Sequence, residues 1–126
     1  MKKIMFLLPC CFLLLQNCGD SKATNTSEKI IDVSVAEFKQ KMGDPNVVIL
    51  DVRTPAETAE GTIAGAKEIN VNAADFAQQI EALDKDKIYL VYCKMGGRSS
   101  KACGIMEEKG FEKLYNLKGG YSAWAK

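Results

Sequence analysis

The chain contains no histidine among its 126 residues. That absence excludes a Ser-His-Asp triad, a Cys-His pair and any histidine-ligated metal site, all of which need an imidazole. An excess of one charge is also missing. Seventeen basic side chains stand against 16 acidic ones, a net +1, so no basic surface points to nucleic acid as a partner. No apolar run reaches the roughly 20 residues of an ordinary membrane-spanning helix. What is present is ordinary for a globular protein: 47% hydrophobic and 26% charged residues, enough to bury one small core. With histidine gone, the five cysteines are the place to look for chemistry.

Three of those cysteines lie near the start. Lys2 and Lys3 precede an apolar stretch from Ile4 to Leu15, and Gln16-Asn17-Cys18-Gly19 follows. This order fits the basic and apolar regions of a bacterial secretory signal. Cys18 stands where a lipoprotein signal places its lipidated cysteine, although Asn17 occupies a position that usually holds a small residue. Residues 1–17 are therefore expected to be a lipoprotein signal, with lipidation at Cys18. An uncleaved anchor or a simple secretory signal is the alternative. Residues 18–28 are small and polar and read as a flexible tether. The expected location is the cell envelope, facing the periplasm or outside, with membrane contact only through the lipid. Cys93 and Cys103 alone then belong to the folded part, which excludes a disulfide framework.

From residue 29 onward, apolar strands alternate with helical spacing. Lys29–Val33 is a strand. Ser34 then caps a helix carrying Val35, Phe38 and Met42, which Gly43 ends. Val47–Val52 and Lys87–Cys93 are apolar almost throughout, as strands buried on both faces of a parallel sheet are. Thr54-Pro55 opens a helical turn, Ala66–Val71 reads as a strand, and Asn72–Leu83 and Arg98–Lys109 read as helices. Lys113–Leu117 is a fifth strand, and a last turn covers Tyr121–Trp124. The alternation predicts one α/β domain over residues 29–126, with a mainly parallel five-stranded sheet and helices on both faces. Sites in such sheets lie at the carboxyl ends of strands. Asp51-Val52-Arg53 and Cys93 fall there.

The segment Cys93-Lys94-Met95-Gly96-Gly97-Arg98-Ser99 carries the chemical argument. A cysteine ends a buried strand, two glycines follow, and a helix begins. Glycine permits the positive φ of a tight curl, and such a curl turns successive N–H groups inward as an anion nest. The helix N-terminus adds unpaired N–H groups, while Lys94 and Arg98 add formal positive charge. Together these favour a Cys93 thiolate without a histidine base.

The loop resembles the active site of rhodanese-family sulfurtransferases, which read C-x-x-G-x-R-S. Cys93, Gly96, Arg98 and Ser99 match position by position. Asp51-Val52-Arg53 through Glu57 resembles the family's D-V-R-x-x-x-E, Gly61–Ala66 its G-H-I-P-G-A turn, and Leu117–Trp124 its L-x-G-G-x-x-x-W. The chain departs from the pattern at Thr62, where histidine is usual, and at Ala64, where proline is usual; loss of the proline is expected to loosen that turn. Cysteine-dependent phosphatases on the same fold use C-x5-R, whereas four residues separate Cys93 from Arg98 here. The narrower cradle suits a sulfur better than a phosphate. The resemblance implies sulfur transfer: Cys93 takes sulfane sulfur from a small sulfur-containing anion such as thiosulfate and passes it to a thiol or a cyanide-like acceptor. It implies no metal and no organic cofactor, and it identifies no protein partner. The other class of function it allows is a sulfur-carrier or sulfide-binding module for such a partner.

Individual expectations follow. Arg98 faces the anion, unless it is merely an exposed arginine at a helix start. Met95 shapes the entrance, and Lys94 either steers substrate or is simply solvated. Asp51 and Arg53 support neighbouring loops, with Glu57 as the anticipated partner of Arg53. Cys103 packs inward, the alternative being a resolving thiol for Cys93. Tyr121 and Trp124 pack.

Overall fold

The computed structural model describes residues 29–126; the expected signal, the Cys18 lipidation site and the tether over residues 18–28 lie outside the described residues. Five strands, β1 (Ile30–Val33), β2 (Val47–Asp51), β3 (Lys67–Glu68), β4 (Ile88–Tyr92) and β5 (Leu114–Leu117), form one sheet in the order β1-β5-β4-β2-β3. Every strand pair is parallel. The helices are α1 (Val35–Lys41), α2 (Pro55–Thr58), α3 (Phe76–Glu81), α4 (Gly97–Glu108) and α5 (Gly120–Trp124).

The sheet separates two apolar cores, because alternate residues of a strand point to opposite faces. Leu50, Tyr89, Val91 and Leu114 face a core shared with Phe76 and Ile80 of α3 and with Ala102, Cys103 and Met106 of α4. Ile49, Leu90, Tyr92 and Leu117 face the other core, built with Phe38 of α1 and closed by Tyr121 and Trp124 of α5. Helices therefore cover both faces, and the central strands are apolar throughout because neither side meets water.

Two elements are shorter than their patterns predict. The third strand pairs only at Lys67 and Glu68. The Asn70 side chain then accepts from the Asn72 N–H at 2.9 Å, and its carbonyl accepts from Ala73 at 3.1 Å. This Asx turn diverts the backbone, so α3 begins at Phe76 rather than Asn72. Ser34 caps α1 as expected, its hydroxyl accepting from the Glu37 N–H at 3.2 Å.

Candidate active site

β2 and β4 are neighbours, with Asp51 opposite Tyr92. The two segments singled out in the sequence thus meet at the carboxyl edge of the sheet. Gly96 takes φ +108°, a left-handed conformation that glycine adopts without strain, and α4 starts at the next residue. The curl brings the Gly96 N–H to 3.1 Å from the Cys93 sulfur, and the Ser99 hydroxyl lies at 3.3 Å. Cys93 is only 1% exposed. Burial alone would push its thiol up, yet its pKa lies below the ordinary value. The Ser99 hydroxyl and the backbone N–H groups of Ser99, Gly96 and Met95 together outweigh desolvation. Met95 projects its side chain outward, 67% exposed, and Lys94 is exposed beside it.

A ring of inward N–H groups needs somewhere to send its carbonyls. The start of α5 supplies the donors for those carbonyls. Tyr121 N–H donates to the Cys93 carbonyl at 2.8 Å, and Ser122 N–H donates to the Lys94 carbonyl at 3.0 Å. These are first-turn N–H groups that a helix cannot satisfy internally. The approach is so close that a Cβ on Gly120 would lie 2.5 Å from the Cys93 carbonyl oxygen and from the Lys94 carbonyl group. Gly120 therefore belongs to the construction of the cradle, a role that its place in the L-x-G-G-x-x-x-W resemblance does not by itself reveal.

Arg98 and Arg53 find other partners than expected. Arg98 does not stand bare before the sulfur; its two terminal nitrogens grip the Glu57 carboxylate at 2.6 and 2.8 Å. This bidentate pair joins α2 to the start of α4. Hydrogen bonds from Arg98 hold the Glu57 carboxyl at about 2, well below its ordinary value. Arg53, expected beside Glu57, instead wraps Asp51, with Nε and a terminal nitrogen donating at 2.8–3.1 Å. Both residues are buried, and their shared geometry satisfies the charges that burial would otherwise penalise. Asp51 sits two residues away on the same extended segment, so its carboxylate reaches the guanidinium without any rearrangement of α2.

The same guanidinium donates to the Gly61 carbonyl at 2.6 Å and lies over the rings of Tyr121 and Tyr92, 4.3 and 5.5 Å from their centroids. The Tyr92 hydroxyl in turn accepts from the Ile63 N–H at 3.0 Å. These bonds anchor the turn around Ala64 at two points. The turn is thus held by tertiary contacts where the family pattern has a proline, and Ile63 is buried.

Asn116 is the second missed residue. It is a polar side chain in the middle of buried β5, and that mismatch was its only signal in the sequence. Its Oδ1 lies 2.5 Å from the Ser99 hydroxyl, and its Nδ2 donates to Asp32 Oδ1 at 2.9 Å. Cys103 is fully buried and reduced, and burial pushes its thiol up to about 12. That environment suits packing and opposes a role as an attacking thiolate.

The family model for the rhodanese-like domain matches residues 34–126. YtwF of Bacillus subtilis, which carries a sulfurtransferase name, is 38% identical over 97 residues, spanning 76% of this chain and 91% of that one. The thiosulfate sulfurtransferase GlpE of Pseudomonas fluorescens is 36% identical, over 70% of this chain and 79% of its own. A tRNA uridine(34) hydroxylase of Cytophaga hutchinsonii is 41% identical over 68% of this chain, a match that spans 28% of the hydroxylase. Among solved structures, a rhodanese-like domain protein from Staphylococcus aureus superposes with a TM-score of 0.67 at 34% identity, covering 75% of this chain and 90% of that one. With a five-stranded parallel sheet, a glycine-curled cysteine loop and a family match over nearly all the described residues, the chain belongs to the rhodanese-like domain family.

Proposed function

We propose that this protein moves sulfane sulfur from a donor such as thiosulfate to a thiophilic acceptor through a persulfide on Cys93. The observation that carries the reading is the sulfur's setting: hydrogen bonds lower its pKa although the residue is buried. In the first half-reaction the Cys93 thiolate attacks the outer sulfur of thiosulfate. A Cys93 sulfur–sulfur bond forms, the donor's sulfur–sulfur bond breaks, and sulfite leaves with its electron pair. In the second, the acceptor attacks the outer sulfur of the persulfide and Cys93 departs as the thiolate. No proton must be abstracted from Cys93 at each turnover, which fits a site without histidine.

The cradle's N–H groups serve the negative charge in both half-reactions without reorganising. Arg98 braces α2 against the loop by gripping Glu57 and adds through-space positive charge to the sulfur.

Thiocyanate release from thiosulfate and cyanide, measured for the native chain and for Cys93→Ala, tests the reading. Turnover is expected from the native chain and none above background from the variant. Equal rates would end the claim. A stable persulfide that cyanide does not discharge would instead favour a sulfur-carrier role.

A further inference from the structure

The Ser99 hydroxyl has one proton and three acceptors. They are Asn116 Oδ1 at 2.5 Å, the Gly96 carbonyl at 3.1 Å and the Cys93 sulfur at 3.3 Å. The amide of Asn116 is oriented from its far side. Its Nδ2 donates to Asp32 Oδ1 at 2.9 Å and to the Gly96 carbonyl at 3.3 Å. A carboxylate and a carbonyl only accept, so the amide nitrogen must face them and the amide oxygen must face Ser99. An amide oxygen cannot donate. The Ser99 proton is therefore shared among the Asn116 oxygen, the Gly96 carbonyl and the sulfur, and Asn116 is the nearest of the three.

We propose that Asn116, oriented by Asp32, is a positioning residue that competes with Cys93 for the Ser99 proton, so that the hydroxyl swings between amide and sulfur as charge leaves and returns to the Cys93 sulfur. The inference rests on Cys93 as the sulfur-accepting thiolate. While the inner sulfur is anionic, a charge-assisted hydrogen bond draws the hydroxyl toward it. Once the persulfide forms, the negative charge lies on the outer sulfur, and the inner one becomes a weak acceptor. The proton then turns back to Asn116. The hydroxyl rotates and no proton leaves its oxygen. Competition leaves the free thiolate less stabilised than a dedicated donor would make it. That preserves nucleophilicity, which falls as a thiol's pKa falls.

Other titratable and polar groups also lie around this sulfur. Arg98 acts on it from α4 and is itself paired with Glu57 of α2. Cys103 lies on α4 within electrostatic reach of both Cys93 and Asp32 of β1. Lys94 flanks the loop, and α5 contributes backbone N–H groups to its carbonyls. Replacing Asn116 leaves all these charges in place.

The test is the pH dependence of iodoacetamide alkylation on the full chain, read by mass spectrometry of the peptide containing Cys93. Asn116→Leu removes the competing acceptor, and its midpoint is expected to fall by about half to one pH unit. Ser99→Ala is expected to raise the midpoint, and in that background Asn116→Leu should shift nothing. An unshifted or raised midpoint in Asn116→Leu would overturn the proposal, as would a shift that persists without the Ser99 hydroxyl. If the leucine variant does not fold, Asp32→Ala at the exposed end of the chain of bonds replaces it in the same two backgrounds. Lost charge alone would move the midpoint whether or not Ser99 is present. Alkylation needs no sulfur donor, so a failure of sulfur transfer and a failure of this competition are separate results.

Discussion

Glu57 ties the site to the stability of the fold through one carboxylate. Hydrogen bonds from Arg98 hold its pKa at about 2, against an ordinary 4.5. A depressed folded-state pKa means that the stabilisation is complete above about pH 4.5 and is lost as pH falls toward 2. The pair is partly exposed, with side chains 30% and 27% accessible, so solvent screening reduces its worth. Glu57→Gln is expected to cost about 1–2 kcal/mol at neutral pH and almost nothing near pH 2, measured by urea unfolding at both. A cost that does not change with pH would mean that the carboxylate's charge contributes nothing. The pairing itself was misread in the sequence, where Arg53 and Glu57 are four residues apart. Spacing along one strand-to-helix turn does not reveal that Arg98, 41 positions away, lies closer.

Among the elements, α5 has the least expected part. Its sequence signal is a pair of glycines before a short turn, which reads as an ending. In three dimensions it holds the carbonyls of the cysteine loop and so keeps the N–H groups turned toward the sulfur. Gly120, at φ +58°, stands where a Cβ would press into the backbone of residues 93 and 94. Gly120→Ala is therefore expected to leave the two cores folded and to displace the loop. Sulfur loading of Cys93 should fall about tenfold to a hundredfold, since displacements of this size at a reacting centre have such effects. Loading at the native rate in a folded variant would show that α5 does not set the loop's shape. The third strand and third helix are shorter than their hydrophobic spacing predicts for a related reason. Hydrophobic spacing runs through Ala66–Leu83, but the Asx turn at Asn70 redirects the backbone, and periodicity does not register a single side-chain-to-backbone bond.

At the scale of the whole molecule, parallel strands bring distant segments to one edge. The apolar runs of β2 and β4, the alternation of elements and the cysteine-glycine loop made the fold and the place of the Cys93 loop at the sheet's carboxyl edge legible, because each is a local pattern. Asn116, Gly120 and the Glu57 partner of Arg98 were not legible, because each acquires its meaning from a neighbour that is distant in sequence and brought in by the fold. The sheet stacks β5 against β4, and so places Asn116 beside Ser99 and beneath the loop that β4 feeds. The product is a sulfur that is buried yet disposed to carry charge. Mass spectrometry of the full chain after incubation with thiosulfate tests this most directly. One additional sulfur atom is expected on Cys93 alone, discharged by cyanide; an unmodified Cys93, or sulfur found only on another cysteine, would contradict it.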